Sequence, residues 1–282
     1  MIPAEFSYVR PATIDEAVAA LSGAGEDAKV LAGGQSLMPL LRLRLALPDV
    51  LVDLDRVDEL KEIRDGGDHV FIGSMATHYD VLKNPLVNPL VSKATATVAD
   101  PAVRHRGTIG GSLSHADPAG DLPAVMLALD AVLVAQSPRG TRDIPASDFF
   151  VDYLTSALEP DELLVGIRVP KFDDGWGFHY EKFHRSAQAW AIIGVAAAVR
   201  RSDGSVAEAR VGLTNMGPYP IRASAVESAA AGGQASADAF RSAAEGAAEA
   251  TDPPSDLNGS AEYRRHLARV LTARALTTAA TV

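Results

Sequence analysis

The spacing of apolar and polar residues changes period several times along the chain, and each change marks an element. Over residues 11–22 apolar residues recur at helical intervals behind Thr13, with Glu16 in capping-box spacing, which predicts a helix ending near Gly23. Lys29 to Ala32 is a short apolar run entering the turn Gly33-Gly34-Gln35-Ser36, and Leu37 to Leu41 then restarts as a helical turn. Asp49 to Leu54 and His69 to Ser74 read as strands, the second behind a hairpin-like turn at Asp65-Gly66-Gly67-Asp68. A helix is expected from Thr77 to Lys83 and a largely helical stretch from Pro85 to Arg106. A second glycine turn follows at 107–112, then a buried helix from Asp121 to Asp130 and a strand from Ala131 to Ala135.

The pattern changes at Asp173-Asp174-Gly175, the best boundary in the chain. Strand-like segments follow (Phe178 to Phe183, Ile192 to Val199, Ala209 to Leu213) and give way to Ala-rich helices. Residues 223–250 could be disordered by composition, but the spacing of Ala225, Val226, Ala229, Phe240 and Ala244 favours surface helices. From Tyr263 an amphipathic helix places Leu267, Val270 and Leu271 on one face; its arginines suit a solvated surface or a docking face. The expected class is α+β, in units of 1–60, 61–173 and 174–282.

Composition narrows the chemistry. With 282 residues and 47% hydrophobic content the chain can bury a substantial core, and no apolar run nears the roughly 18 residues that cross a bilayer. The opening residues lack a basic stretch followed by an apolar one, so a cytoplasmic location is expected. A formal charge of −10, with dispersed arginines, argues against nucleic acid as a partner. The chain has no cysteine, which removes disulfides, thiolate catalysis and Cys-ligated clusters together. An iron–sulfur cluster, if one takes part, belongs to another chain.

The two Gly-Gly turns carry the candidate chemistry. Each follows an extended segment and is followed by a small hydroxyl residue, an arrangement that exposes backbone N–H groups around an anion such as a pyrophosphate. Either alone better suits a plain tight turn; the pair is more persuasive. Gly23 to Ala28 fits the dinucleotide fingerprint in form, but it follows a helix and precedes a strand, the reverse of the order that motif needs. Walker A and His-Glu-x-x-His sequences are absent.

Leu31-Ala-Gly-Gly-Gln-Ser-Leu-Met-Pro and the run from Gly107 to Ala124 closely resemble the two flavin pyrophosphate loops of the FAD subunit in the xanthine dehydrogenase and carbon monoxide dehydrogenase family, the molybdenum hydroxylases. Ile72 to His78, Glu162 to Pro170, Tyr180-Glu-Lys-Phe and the closing Tyr263-Arg-Arg-His-Leu-Ala agree with it in order, over essentially the whole chain. The resemblance implies a two-part FAD-binding domain of the p-cresol methylhydroxylase and vanillyl-alcohol oxidase type (1–60 and 61–173) and a C-terminal α/β flavoprotein domain (174–282). It implies pyrophosphate contacts from Ala32, Gly33, Gly34, Gln35, Ser36 and Leu37, and from Thr108, Ile109, Gly110, Gly111 and Ser112. His115 and Asp121 would hold the ribityl and ribose region, Leu164 and Lys182 would approach the ring system, and Trp190 would cover one ring face.

Without the resemblance these residues have plainer readings. Asp121 suits the N-cap of the next helix, His115 a loop hydrogen bond, Lys182 a surface position and Trp190 core packing. Two departures from the family pattern stand out: Ser112 in place of a frequent Asn, and Ala189 in place of an acidic residue before the aromatic.

The family's division of labour implies molybdenum cofactor on a large partner subunit, [2Fe-2S] clusters on a small one, and FAD here, passing electrons to an acceptor such as quinone. A dimer of heterotrimers, meeting the inner face of the membrane through partners, is the implied assembly, with carbon monoxide as the expected substrate. An aldehyde, purine or N-heterocycle substrate, or a flavin-free assembly module, are the alternatives. In such a subunit the cofactor carries the redox chemistry, so no catalytic acid, base or metal ligand is assigned to this chain.

Overall fold

The structure, a computed structural model, describes residues 2–281. Its first sheet is parallel, in the order β1 (Ser7–Val9), β3 (Val50–Asp53), β2 (Ala28–Leu31). Helix α1 (Ile14–Ala24) crosses between β1 and β2 and buries Ala17, Val18 and Leu21. Thr13 caps it by accepting from the Glu16 N–H at 3.2 Å, while the Glu16 carboxylate accepts from the amide of Ala12 rather than of Thr13. The helix outruns Gly23 because the left-handed turn that ends it needs φ of +71°, which Gly25 supplies. Helix α2 (Leu37–Leu43) lies between β2 and β3.

The second sheet is antiparallel, β4 (Ile63–Asp65), β5 (His69–Gly73), β10 (Leu163–Pro170), β6 (Val132–Ser137), β7 (Gly140–Pro145). Between β5 and β6 run α3 (His78–Lys83), α4 (Pro89–Ala96), α5 (Pro101–Arg104), α6 (Ile109–His115) and α7 (Asp121–Ala128). The stretch 85–106 is less helical than its sequence suggests. Pro89 and Pro101 each start a new short helix, and Ala99 between them takes φ of +41°, which breaks the run. Short α8 (Ala146–Phe149) and the hairpin β8 (Phe150–Asp152) and β9 (Thr155–Ser156) lead into β10.

The third sheet is β11 (Trp176–Phe183), β12 (Ile193–Ser202), β13 (Ser205–Thr214) and β14 (Ile221–Arg222). Strand β12 is buried on both faces: Ala196 and Ala198 join the core of the second unit, while Val195, Ala197 and Val199 pack under the C-terminal helices. Small residues face α7 because the helix comes close; a Cβ on Gly212 of β13 would lie 2.1 Å from the Ala124 carbonyl oxygen. Helices α9 (Ser224–Ala230), α10 (Ala237–Ala243) and α11 (Ala261–Ala279) cover the other face. They are more than surface helices, since Val226, Phe240, Ala243 and Leu267 all enter the core.

Helix α11 also departs from a fully solvated polar face. Arg264 is 0% exposed, paired with both Asp256 oxygens at 2.8 Å and donating to the Ile192 carbonyl. Asp256→Ala would strand this guanidinium. Because Asp256 is itself partly exposed, a loss of about 2 kcal/mol is expected in urea unfolding, with a smaller loss for Arg264→Met, which strands no buried charge.

His78 is buried where α3 meets Gly107, and desolvation, assisted by the Arg104 charge, lowers its pKa to about 4. Unfolding returns the imidazole to its ordinary value, so between the two values the unfolded chain binds the extra proton and stability falls as the pH drops. The stability difference between wild type and His78→Leu should therefore shift against wild type by ~2–3 kcal/mol from about pH 7 to about pH 4.5, measured by urea unfolding.

Candidate functional site

A cleft of about 590 Å³ opens where the first glycine loop, the 74–78 segment, α6, β10 and the 182–190 segment meet. This is within the size range of small-molecule and cofactor sites. Every candidate residue lines it except Ile109, whose side chain is fully buried in the core of the second unit.

The loop between β2 and α2 is held by two glycines with different tasks. Gly34 takes φ of +74°, the left-handed region that other residues adopt at a cost. Gly33 permits contact between the two glycine segments: a Cβ there would lie 2.1 Å from the Arg106 carbonyl oxygen and 2.7 Å from Gly107 Cα. Among the described residues, no backbone or side-chain acceptor takes the amides of Gly33, Gly34, Gln35, Ser36 and Leu37. Consecutive unsatisfied N–H groups at a cleft wall suit an anion.

The second glycine segment corrects its sequence reading. Past Thr108, which caps it, it is the first turn of α6, and the amides of Ile109 to Ser112 are already spent. Ile109 donates to the Ala76 carbonyl at 3.0 Å, Gly110 to Ser74 at 2.9 Å, Gly111 to Thr108 Oγ1 at 3.1 Å and Ser112 to the Thr108 carbonyl at 3.1 Å. Gly110 is there for packing, since a Cβ would fall 2.6 Å from the Ser74 carbonyl oxygen. What this segment offers the cleft is hydroxyls: Ser112 and Ser114 line it with no hydrogen-bond partner among the described residues, as does Ser36 opposite.

Asp121 is not the N-cap of α7. Gly120 holds that position, and Asp121, the first helical residue, receives Lys182 Nζ at 2.7 Å on one oxygen and the Tyr180 hydroxyl at 2.8 Å on the other. Burial pushes its carboxyl pKa up, against the pull of Lys182 and Tyr180. Lys182 likewise leaves the surface reading behind, with its side chain 3% exposed. Trp190 is 58% exposed on the cleft rim beside Ala189, so core packing does not account for it. Leu164 is buried on β10 at the bulge before Gly166, and His115 ends α6.

The sequence reading missed several lining residues. Ser74 and His78 lie within the Ile72 to His78 motif, the only signal that pointed to them. Ser74 Oγ and His78 Nδ1 are buried without a partner, as polar atoms in a cofactor cleft can be before the cofactor supplies one. Ala99 and Leu154 also line the cleft, both at positive φ, and nothing in two apolar residues announces that conformation. No cluster of His, Cys, Asp and Glu fit to hold a metal occurs among the described residues. The unsatisfied amides, hydroxyls, orphaned Ser74 and His78 atoms, buried cation and exposed indole together fit a flavin dinucleotide.

Residues 4–172 match the family described as FAD binding domain in molybdopterin dehydrogenase, and residues 178–279 the CO dehydrogenase flavoprotein C-terminal domain. The chain is 41% identical to the carbon monoxide dehydrogenase medium chain of Hydrogenophaga pseudoflava, over 99% of this chain and 98% of that one. It is 38% identical to the 6-hydroxypseudooxynicotine dehydrogenase complex subunit alpha of Paenarthrobacter nicotinovorans, over 98% and 95%. Among solved structures, a Cu,Mo-CO dehydrogenase in its cyanide-inactivated form superposes with a TM-score of 0.97 at 38% identity, covering 100% and 99% of the two chains. Quinoline 2-oxidoreductase from Pseudomonas putida 86 gives 0.95 at 35% identity, with the same coverage. The chain is thus an oxidoreductase subunit and belongs to the FAD-binding subunits of the molybdopterin dehydrogenases, the molybdenum hydroxylases.

Proposed function

We propose that this chain is the flavin subunit of an aerobic carbon monoxide dehydrogenase, taking electrons from [2Fe-2S] clusters on a small partner subunit and passing them through FAD to an acceptor such as quinone. The overall reaction of the complex is CO + H2O → CO2 + 2 electrons + 2 protons, with the molybdenum cofactor on a large partner subunit. The observation that carries the flavin reading is the run of unsatisfied amides from Gly33 to Leu37 in a cleft that also holds a buried ammonium. Similarity to medium chains of carbon monoxide dehydrogenase supports the substrate. Relatives named for 6-hydroxypseudooxynicotine, glyceraldehyde and nicotine follow at 38%, 37% and 36% identity, and they favour a second reading in which another molybdenum hydroxylase shares this subunit design.

FAD supplies the redox chemistry when bound; the residues of this chain bind, orient and shield it. Residues 1–60 and 61–173 form the two parts of the FAD domain and 174–282 the third unit that closes over it. The amides of residues 33–37 and the hydroxyls of Ser36, Ser112 and Ser114 hold the pyrophosphate, with Ala32, Thr108, Gly110 and Gly111 shaping its bed. His115 and Asp121 serve the ribityl and ribose region; the Asp121 oxygens keep lone pairs beyond those given to Lys182 and Tyr180. Leu164, Lys182 and Trp190 surround the ring system. Among the described residues no helix is long and apolar enough to cross a membrane. In this reading the assembly is a dimer of heterotrimers that meets the inner face of the membrane through partners.

The complex purified from its native host should release FAD at about one per chain on chromatography against FAD and FMN standards, with iron and molybdenum on co-purifying chains. Absence of flavin from an intact complex would favour the assembly module instead. Within the chain, Gly33→Ala forces the loop away from Arg106. FAD binding by flavin fluorescence should weaken by about a hundredfold, ~2.7 kcal/mol, while the far-ultraviolet circular dichroism stays unchanged.

A further inference from the structure

Lys182 is the buried cation of the cleft, and its surroundings are built in detail. Its ammonium gives one N–H to Asp121 at 2.7 Å and one to the Thr97 carbonyl at 3.1 Å. An ammonium has three donors, so one remains for an occupant of the cleft. The second Asp121 oxygen takes the Tyr180 hydroxyl at 2.8 Å, and that hydroxyl lies 3.5 Å from Thr214 Oγ1. Gly194, opposite both Lys182 and Thr214 in strand register, leaves the space this arrangement needs; a Cβ there would sit 2.4 Å from the Tyr180 oxygen.

Stability does not account for such a set. Apolar residues of similar volume at 121, 180 and 182 would fill this space without desolvating two charges, a replacement that is often neutral or stabilising. The groups also converge on the cleft: Asp121 and Lys182 both line it, whereas Tyr180 is held behind them.

We propose that Asp121 and Tyr180 are positioning residues that set how much positive charge Lys182 presents to FAD in the cleft, an inference that rests on the flavin reading above. Adding two electrons and one proton to FAD leaves it one unit more negative. A fixed neighbouring cation therefore favours the reduced cofactor and raises its potential. Asp121 offsets the cation. Tyr180, by donating to the oxygen of Asp121 that faces away from Lys182, draws carboxylate charge off the ion pair and so preserves part of the ammonium's field.

The test uses the intact complex with its partner subunits and FAD bound, with the flavin midpoint potential read by redox titration in the visible spectrum and FAD content by chromatography of the released cofactor. Lys182→Met should lower the potential and Asp121→Asn raise it, each by about tenfold in the ratio of reduced to oxidised FAD affinity, ~30 mV for a two-electron couple. Tyr180→Phe should lower it by a smaller amount, and should have no effect on potential in a Lys182→Met background. Potentials unmoved by Asp121→Asn and Tyr180→Phe, or a Tyr180→Phe shift that persists without Lys182, would overturn the proposal and leave the three groups as packing. Should Tyr180→Phe fail to fold, Asp121→Asn decides, because asparagine still accepts from Tyr180: a raised potential supports the proposal and an unchanged one overturns it. Failure of the intact wild-type complex to hold FAD would remove both this inference and the flavin reading, whereas bound FAD with unmoved potentials removes this inference alone.

Discussion

One backbone contact governs the architecture of the cleft: Gly33 against the Arg106 carbonyl and Gly107 Cα. It joins the parallel sheet of the first unit to the helical segment of the second at a distance only glycine allows, and the amides from Gly33 to Leu37 are left without an acceptor among the described residues. Moving either segment by the radius of a methyl group would part the loop from the hydroxyls of α6. The left-handed Gly34 then turns the chain into α2, so consecutive residues of one short loop perform separate geometric tasks. The second glycine segment solves a different problem, letting α6 lie against Ser74.

The third unit is tied to this arrangement by polarity as well as by packing. Alanines on β12 and Gly212 on β13 let α7 approach the sheet, and the first residue of that helix carries the carboxylate that receives Lys182 and Tyr180 from β11. Helix and strand are thereby fixed in rotation as well as distance, because the carboxylate meets both donors only in one orientation. The buried Arg264 does the same for α11, reaching the Ile192 carbonyl at the start of β12.

Much of this was legible from residue order. The strands β2, β3, β5 and β11 to β13 follow their apolar runs, and Thr13 and Thr77 cap helices as hydroxyl residues at such positions do. The cleft-lining loops were found through the resemblance carried by their glycines. Less legible was what those glycines do: Gly33-Gly34 and Gly110-Gly111 look alike in sequence, yet one pair leaves amides free and the other sits in a helix whose amides are spent. That difference depends on Ser74 and Ala76, some thirty-five residues earlier in the chain, whose carbonyls accept from Gly110 and Ile109. Lys182 and Arg264 read as surface charges for the same reason, since their partners, Asp121 and Asp256, come from other elements. Local spacing carries periodicity and caps; it does not carry the partner of a buried charge.

The chain has two tryptophans, and the fold puts them in contrasting surroundings. Trp190 stands open on the cleft rim, while Trp176 packs edge-on to Phe172, with Arg210 over its ring, at the junction of the second and third units. Intrinsic emission from this protein is therefore a two-channel signal: one indole, wet and red-shifted, senses the cleft, and the other senses the seam between units. Deleting either indole leaves a single-channel optical probe, so cleft events and unit separation can be followed one at a time in two single-tryptophan variants without an added label.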